Sequence, residues 1–395
     1  MSSGIRQVAV ITVGRSDFGR YLPVLRLLRS NNRVELRIIA SGGHFSSAFG
    51  NTVQEIEEHG FTWEPGFDEE IVADKPENVG HIIGIGTSRL AKAFAANRPD
   101  VVVVLGDRFE MLSAANAALG FNIPVFHIHG GAVTEGAIDE LVRHALTKMS
   151  HLHMVSCEKY AARLRQMGEE DWRVHVTGAP VLDDLTSQAT LDRKKLSEYI
   201  GLDLSKPTLL MCFHAVTVEP GRAKSHIESL LEGLRRTDIQ VVMTYPNVDP
   251  GFSPIVKGIE VHAQQFPFTV RLLKNAGSDI FVSLLDNVDA LIGNSSTGIV
   301  EAASFKLPVV NIGTRQDGKI KPANVIDTDY NCESIEAGLS KALDPKFRKS
   351  ISGLVNPYGD GKSGPRVANI IVSQPLNERL LRKKFIDSPY FHEML

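Results

Sequence analysis

Residues 101–151 read VVVVLGDRFEMLSAANAALGFNIPVFHIHGGAVTEGAIDELVRHALTKMSH, and this stretch decides the fold. Positions 101–105 are an unbroken apolar run without alternation, the pattern of a parallel strand buried on both faces. Gly106-Asp107-Arg108 follows at its carboxyl end, and 109–119 reads as a helix closed by Gly120. Positions 124–128 make the next strand, ended by His129-Gly130-Gly131, and a second helix begins near Asp139. In an open parallel sheet, ligands bind beyond the carboxyl ends of the strands. Two adjacent strands here end in a polar residue set against glycines. Chemistry is expected there.

Working outward, 8–13 is a first buried strand, and Gly14-Arg15-Ser16-Asp17-Phe18-Gly19 turns into a helix carrying Leu22, Leu25 and Leu28. A glycine-led turn presents free backbone N–H groups, and Arg15 beside them suits a phosphate. The three-glycine dinucleotide pattern is missing, and Gly84-Ile85-Gly86 reads as an ordinary helix start. A second strand, 35–40, ends in Ser41-Gly42-Gly43-His44. Residues 52–59 are helical, and 64–78, acidic and proline-punctuated, is expected to be a mobile loop near the crevice. Helix 87–96 feeds the central strand. Strand 153–156, helix 158–167 and strand 174–176 follow it. Beyond a polar crossing at 183–206, strands 208–213, 240–244, 290–292 and 309–312 alternate with helices, including 224–234 and 299–305.

This alternation predicts an α/β protein with two Rossmann-like, doubly wound domains around a cleft. The expected boundaries are 1–185 and 186–375, with 376–395 as a C-terminal tail. That tail is basic and then aromatic, suited to packing back on the surface or to meeting a partner.

The length of 395 residues itself argues for two cores. Hydrophobic residues at 43% and charged residues at 23% are globular values, and a net charge of -3 gives no general attraction to nucleic acid or an anionic membrane. An anion site must therefore be built locally. Cys157, Cys212 and Cys332 share no metal-like spacing and fit a reducing compartment. No signal peptide and no membrane-spanning run is read, so a cytoplasmic location is expected.

Asp107 beside Arg108 could be a capping aspartate paired with its neighbour. His129 at the next strand end changes that balance, as do Asp139 and Arg143 one helical turn apart. Acid, base and cation converging in one crevice suit proton abstraction with loss of an anionic leaving group. His214, in Cys212-Phe213-His214-Ala215, ends the first strand of the second half. A lone histidine there is more often structural, yet its cleft-facing position makes it a candidate. In Gly293-Asn294-Ser295-Ser296-Thr297-Gly298, two hydroxyls at a helix start could bind phosphate, with Glu301 inside accepting from ribose hydroxyls. Equally, a serine there could be an N-cap with Glu301 in a capping box. Gly313-Thr314-Arg315-Gln316 brings another arginine to the cleft.

With GDRFE, HIHGG, IDELVRHALTKMSHLH, GNSSTGIVEA and NIGTRQDG in this order, the chain resembles the hydrolysing UDP-N-acetylglucosamine 2-epimerases of sialic- and legionaminic-acid synthesis. The resemblance runs from about residue 8 to 371. It implies the glycosyltransferase-B fold, a UDP-sugar substrate, no metal, no nicotinamide cofactor, and a homodimer or homotetramer. It also implies a two-step reaction on UDP-N-acetylglucosamine. A base removes the C2 proton as UDP leaves from C1, and water adds to the resulting glycal to release N-acetylmannosamine. Asp107, Asp139 and His214 match family positions for acid/base work. Arg15, Arg108, Arg143, Ser295, Ser296, Glu301 and Arg315 match positions that hold UDP or support the site. The pattern departs from the sialic-acid enzymes at His129, where they carry a glutamate in HIEGG, and at Ala132, where an acidic residue often follows. His129 either replaces that carboxylate, relaying a proton as an imidazole that titrates near neutrality, or marks a different sugar. The branch acting on UDP-2,4-diacetamido-2,4,6-trideoxyglucose is similar here. A glycosyltransferase of the same fold and a catalytically dead nucleotide-sugar binder stay open alternatives.

Overall fold

The run at 101–105 lies at the centre of a seven-stranded sheet. The computed structural model describes residues 4–45, 52–67, 76–134, 138–187, 190–216, 219, 221–246, 251–274 and 276–387. In the first half the strands are β1 (Arg6–Thr12), β2 (Val34–Ser41), β3 (Glu64–Phe67), β4 (Val101–Leu105), β5 (Val125–Ile128), β6 (Leu152–Val155) and β7 (Val174–Val176). They pair in the order β3-β2-β1-β4-β5-β6-β7, all parallel. Successive β4 residues feed two separate cores. Val101, Val103 and Leu105 join one with Val8, Val10 and Phe126, while Val102 and Val104 join the other with Ala9, Ile11 and Val125. Helices cover both faces, which is why the run is apolar throughout.

The second half has β8 (Thr208–Cys212), β9 (Gln240–Thr244), β10 (Val270–Leu273), β11 (Ala290–Gly293), β12 (Val309–Ile312) and β13 (Val325–Thr328). Their order is β10-β9-β8-β11-β12-β13, again parallel throughout and again with a core on each face. The protein is thus α/β, with two Rossmann-like units of the glycosyltransferase-B type. Among the described residues, no helix is long and apolar enough to cross a membrane.

The units are not divided as the sequence suggested. One comprises Met1–Asp184 with Tyr358–Leu395, and the other Leu185–Pro357. Residues 358–375 were expected in the second domain. Instead, helix Ser363–Ser373 packs on helix Arg15–Arg29, and its Val367, Ile371 and Val372 share a core with Leu22, Leu25 and Leu28. Asp183 anchors the returning chain by accepting from the Ser363 and Gly364 N–H groups at 2.8 and 2.6 Å.

The described part of the tail also docks on the first unit. Arg173, fully buried, donates to the carbonyls of Arg379, Leu380 and Arg382. Lys383 Nζ meets the carbonyls of Thr147, Lys148 and Ser150 at 3.1, 2.9 and 2.7 Å, and the buried Glu169 at 2.8 Å.

The stretch 64–78 is only partly as expected. Its start is strand β3 and its end lies in helix Pro76–Ala96, while 68–75 fall outside the described residues. Gly84-Ile85-Gly86 sits inside that helix rather than at its start. A Cβ on Gly86 would come within 2.6 Å of Ser113 Oγ, so glycine serves close packing against helix Glu110–Gly120.

Candidate active site

Gly106 turns the chain out of β4 with φ +73, a conformation that glycine adopts without strain. Its N–H donates to the Ile128 carbonyl at 2.8 Å, and its carbonyl accepts from His127 Nε2 at 2.8 Å. Burial holds the His127 ring down at about 3, so it is neutral at physiological pH. The Nε2 proton therefore goes to Gly106, leaving Nδ1 to accept from the Thr147 hydroxyl at 3.4 Å. The peptide that precedes Asp107 is fixed from two sides.

The Asp107 carboxylate accepts from Nη2 of Arg143. Arg143 is buried on helix Ile138–Met149 and also donates to Thr134 Oγ1 at 2.8 Å, the Ala132 carbonyl at 3.1 Å and Glu140 Oε2 at 3.1 Å. Burial lowers its pKa to about 10, which still leaves it a cation. Glu140 is thus a helical partner of Arg143. Asp139 is half-buried one residue earlier, and its charge acts on Arg108.

Arg108 is held by Glu110 in a fork, Nη2 to Oε1 at 2.8 Å and Nε to Oε2 at 3.3 Å. Glu110 and Asp17 are both buried. Burial raises the Asp17 carboxyl to about 6 against the opposing pull of Arg108 and Arg20. Neither carboxyl was a sequence candidate, although both stand inside quoted motifs, GRSDFG and GDRFE. Arg15 opens its helix after Gly14, and its side chain lies outside the described set. His44 is fully buried, its Nε2 2.8 Å from Thr12 Oγ1 and its Nδ1 3.0 Å from Thr52 Oγ1.

His129 departs from expectation. It takes a left-handed backbone, φ +66, and its N–H donates to the Met154 carbonyl at 2.9 Å. Its Nε2 is enclosed, with no hydrogen-bond partner among the described residues. Burial, then the charge of Arg20, pushes the ring down to about 3. An imidazole titrating near neutrality was expected, but burial of its nitrogen holds the ring neutral because the charged form would lose its hydration.

In the second unit, His214 follows β8 and is buried. Its ring is pushed down to about 4 by burial and by Arg315. Ser295 caps helix Ser296–Val300, accepting from the Thr297 N–H at 3.4 Å. With the cap at Ser295 the capping-box position is Gly298, so Glu301 lies beyond reach of that role. Ser296 opens the helix, and Arg315 Nη1 donates to the Asn294 carbonyl at 3.1 Å. Asn294, fully buried, was quoted within its motif but not weighed as a site residue.

In each unit, then, charged or hydroxyl side chains gather beyond the carboxyl ends of the central strands. Asp107, Arg108, Asp139, Arg143 and His129 do so in the first, and His214, Ser295, Ser296, Glu301 and Arg315 in the second. A carboxylate fixed by a buried arginine can accept a proton, and half-exposed arginines can hold an anion.

The family model described as UDP-N-acetylglucosamine 2-epimerase matches residues 26–372. The chain is 36% identical to the UDP-N,N'-diacetylbacillosamine 2-epimerase (hydrolyzing) of Legionella pneumophila, covering 96% of this chain and 99% of that protein. It is 32% identical to the GDP/UDP-N,N'-diacetylbacillosamine 2-epimerase (hydrolyzing) of Campylobacter jejuni, covering 97% and 99%. In fold it is similar to the crystal structure of the UDP-GlcNAc 2-epimerase from Neisseria meningitidis bound to UDP-GlcNAc, at TM-score 0.79 and 19% identity over 93% of this chain and 100% of that one. The chain belongs to the UDP-N-acetylglucosamine 2-epimerase family.

Proposed function

We propose that this protein is a hydrolysing 2-epimerase whose substrate is UDP-N,N'-diacetylbacillosamine, that is, UDP-2,4-diacetamido-2,4,6-trideoxyglucose. The observation that carries the chemistry is the Asp107 carboxylate held by the buried Arg143 at the end of β4. The choice of sugar is supported by the names of two relatives, 36% and 32% identical to this chain. UDP-N-acetylglucosamine is the second reading, favoured by the description of the family model.

In this mechanism a carboxylate, Asp107, takes the proton from C2 while the C1–O bond breaks and UDP leaves. The glycal then adds water across the double bond, a proton returning to C2 on the opposite face and hydroxyl to C1. The sum is UDP-sugar plus water giving UDP plus the free 2-epimer, the kind of sugar that feeds nonulosonic-acid synthesis. Asp139 and the neutral His214 serve the other proton transfers, and His129 lines the sugar. Arg15, Arg108, Ser295, Ser296 and Arg315 hold the diphosphate, Glu301 the ribose, and Arg143 orients Asp107. Fixed cations and hydroxyls stabilise the charge that develops on the leaving diphosphate.

The test is incubation with each UDP-sugar in deuterated water without any acceptor, with NMR of the released sugar. A free 2-epimer carrying deuterium at C2 is expected. UDP release that requires an acceptor sugar would instead make the protein a glycosyltransferase, and no release from any UDP-sugar would leave a binding module.

A further inference from the structure

Three strand ends of the second unit meet on one side chain and its peptide. Asn294 directly follows β11 and is fully buried. Its Oδ1 accepts from the His214 N–H at 2.7 Å, and its Nδ2 donates to the His214 carbonyl at 2.9 Å. Its own N–H donates to the Cys212 carbonyl at 3.1 Å. Its carbonyl accepts from Arg315 Nη1 at 3.1 Å and from Gln316 Nε2 at 2.7 Å. The amide can reach His214 because the strands pass very close just before it. A Cβ on Gly293 would lie 2.0 Å from the Cys212 carbonyl oxygen, so only glycine fits there.

We propose that Asn294 is a positioning residue, its side chain setting His214 and its main chain setting Arg315. This rests on the reading of His214 and Arg315 as working groups. A carboxamide that accepts from one N–H and donates to one carbonyl of the same residue fixes both its place and its rotation. No other side chain of this size does both, since aspartate offers two acceptors and alanine offers nothing. The two arms are also separable. Changing the side chain leaves in place the carbonyl that Arg315 and Gln316 use, so His214 should be disturbed while anion binding at Arg315 persists.

Two variants of the full chain, Asn294→Ala and Asn294→Asp, test this by three readouts. The first is NMR titration of the His214 ring in histidine-labelled protein without substrate, assigned with His214→Gln. The second is UDP affinity by calorimetry, and the third is kcat. In Asn294→Ala the His214 pKa should move by at least one unit from about 4 toward its ordinary value near ~6.5. A slight misplacement of a working group should lower kcat by about 10- to 100-fold, with UDP affinity within about threefold. Arg315→Ala should show the converse in binding, with weakened UDP affinity, its His214 pKa rising only by the loss of the Arg315 charge. A wild-type titration and wild-type kcat in Asn294→Ala would overturn the assignment, as would UDP affinity falling in step with kcat. Should Asn294→Ala not fold, Asn294→Asp keeps the volume and one bond, and the same readouts decide. Failure of the epimerase reading is distinguishable, because the wild type would then release no 2-epimer while the titration still scores the proposal.

Discussion

Arg143 and Asp107 stand 36 residues apart in the chain, yet the buried guanidinium of one is bonded to the carboxylate of the other. The arginine has a second carboxylate in Glu140, so its orientation does not depend on Asp107 alone. Asp107→Asn keeps the shape of the pair and removes the group proposed to take the proton. Turnover should fall by about 100- to 10,000-fold, with UDP affinity within a few-fold by calorimetry. Near-normal turnover in the variant would remove Asp107 from the mechanism.

Ser295 and Ser296 are proposed to hold the diphosphate. The cap bond from Ser295 to the Thr297 N–H is long at 3.4 Å, so little helix stability is at stake in its loss. In the double variant Ser295→Ala with Ser296→Ala, each lost contact to a charged phosphate should cost about 1.5–3 kcal/mol of UDP binding. Unchanged affinity would reduce the motif to a cap.

How far this site could be read in the chain depends on the range of each contact. The central strands were legible because burial on both faces demands unbroken apolar runs, as at β1, β4 and β8. The strands that escaped, β3, β10 and β13, are all sheet edges. EPGF, VRLL and VIDT carry charge, proline or glycine that an edge tolerates and a central strand does not. Among site residues, Asp107 and His129 announce themselves by ending a buried strand. Glu110 and Asp17 lie within helix starts, and Asn294, although it directly follows β11, takes its role from His214 and Arg315 at two other strand ends. Helical spacing placed Asp139 one turn from Arg143, but it did not single out Glu140, whose i,i+3 position bonds that arginine. The last part of the chain was assigned to the wrong unit for a similar reason. An amphipathic helix announces that it has a partner without saying which.

The tail should matter to stability. Lys383 carries its charge among three helix-end carbonyls and Glu169, whose carboxyl is held down at about 2 despite burial, by His153, Lys148 and Lys383. Lys383→Met would leave those carbonyls and part of a buried carboxylate without a partner. A loss of about 3 kcal/mol is expected in urea unfolding. An unchanged midpoint would show that the tail only rests on the surface.

Acid should unfold the protein early. His127 is fully buried and neutral, its pKa lowered from ~6.5 in an unfolded chain to about 3. Between those values the unfolded chain binds the extra proton. The contribution is therefore complete above about 6.5 and is lost as pH falls toward 3, at up to ~1.4 kcal/mol per pH unit for this one group. His153, also fully buried and held at about 4, acts in the same direction. Urea midpoints should drop from pH 7 to pH 5, and His127→Gln, less stable at neutral pH, should flatten the slope. A flat wild-type profile would contradict the assignment.

His129 bears on the choice of sugar. The ring is held low in pKa, and its enclosed Nε2 has no hydrogen-bond partner among the described residues, so it stands neutral in the working range where a glutamate would stand charged. What it offers instead is one neutral hydrogen-bonding nitrogen and an apolar ring surface. Two hydroxyls on a sugar would be matched better by the two oxygens of a carboxylate. A sugar with a methyl at C6 and an acetamido group at C4 asks for less of that pairing and more apolar contact. The 2,4-diacetamido substrate should therefore be turned over at least as well as UDP-N-acetylglucosamine, measured as kcat/KM side by side. In His129→Gln the ratio of the two values should shift, while the pH profile keeps its shape near neutrality because no proton of His129 is lost there. A strong wild-type preference for UDP-N-acetylglucosamine would overturn the choice of sugar, and equal losses for both substrates in the variant would leave His129 indifferent to it.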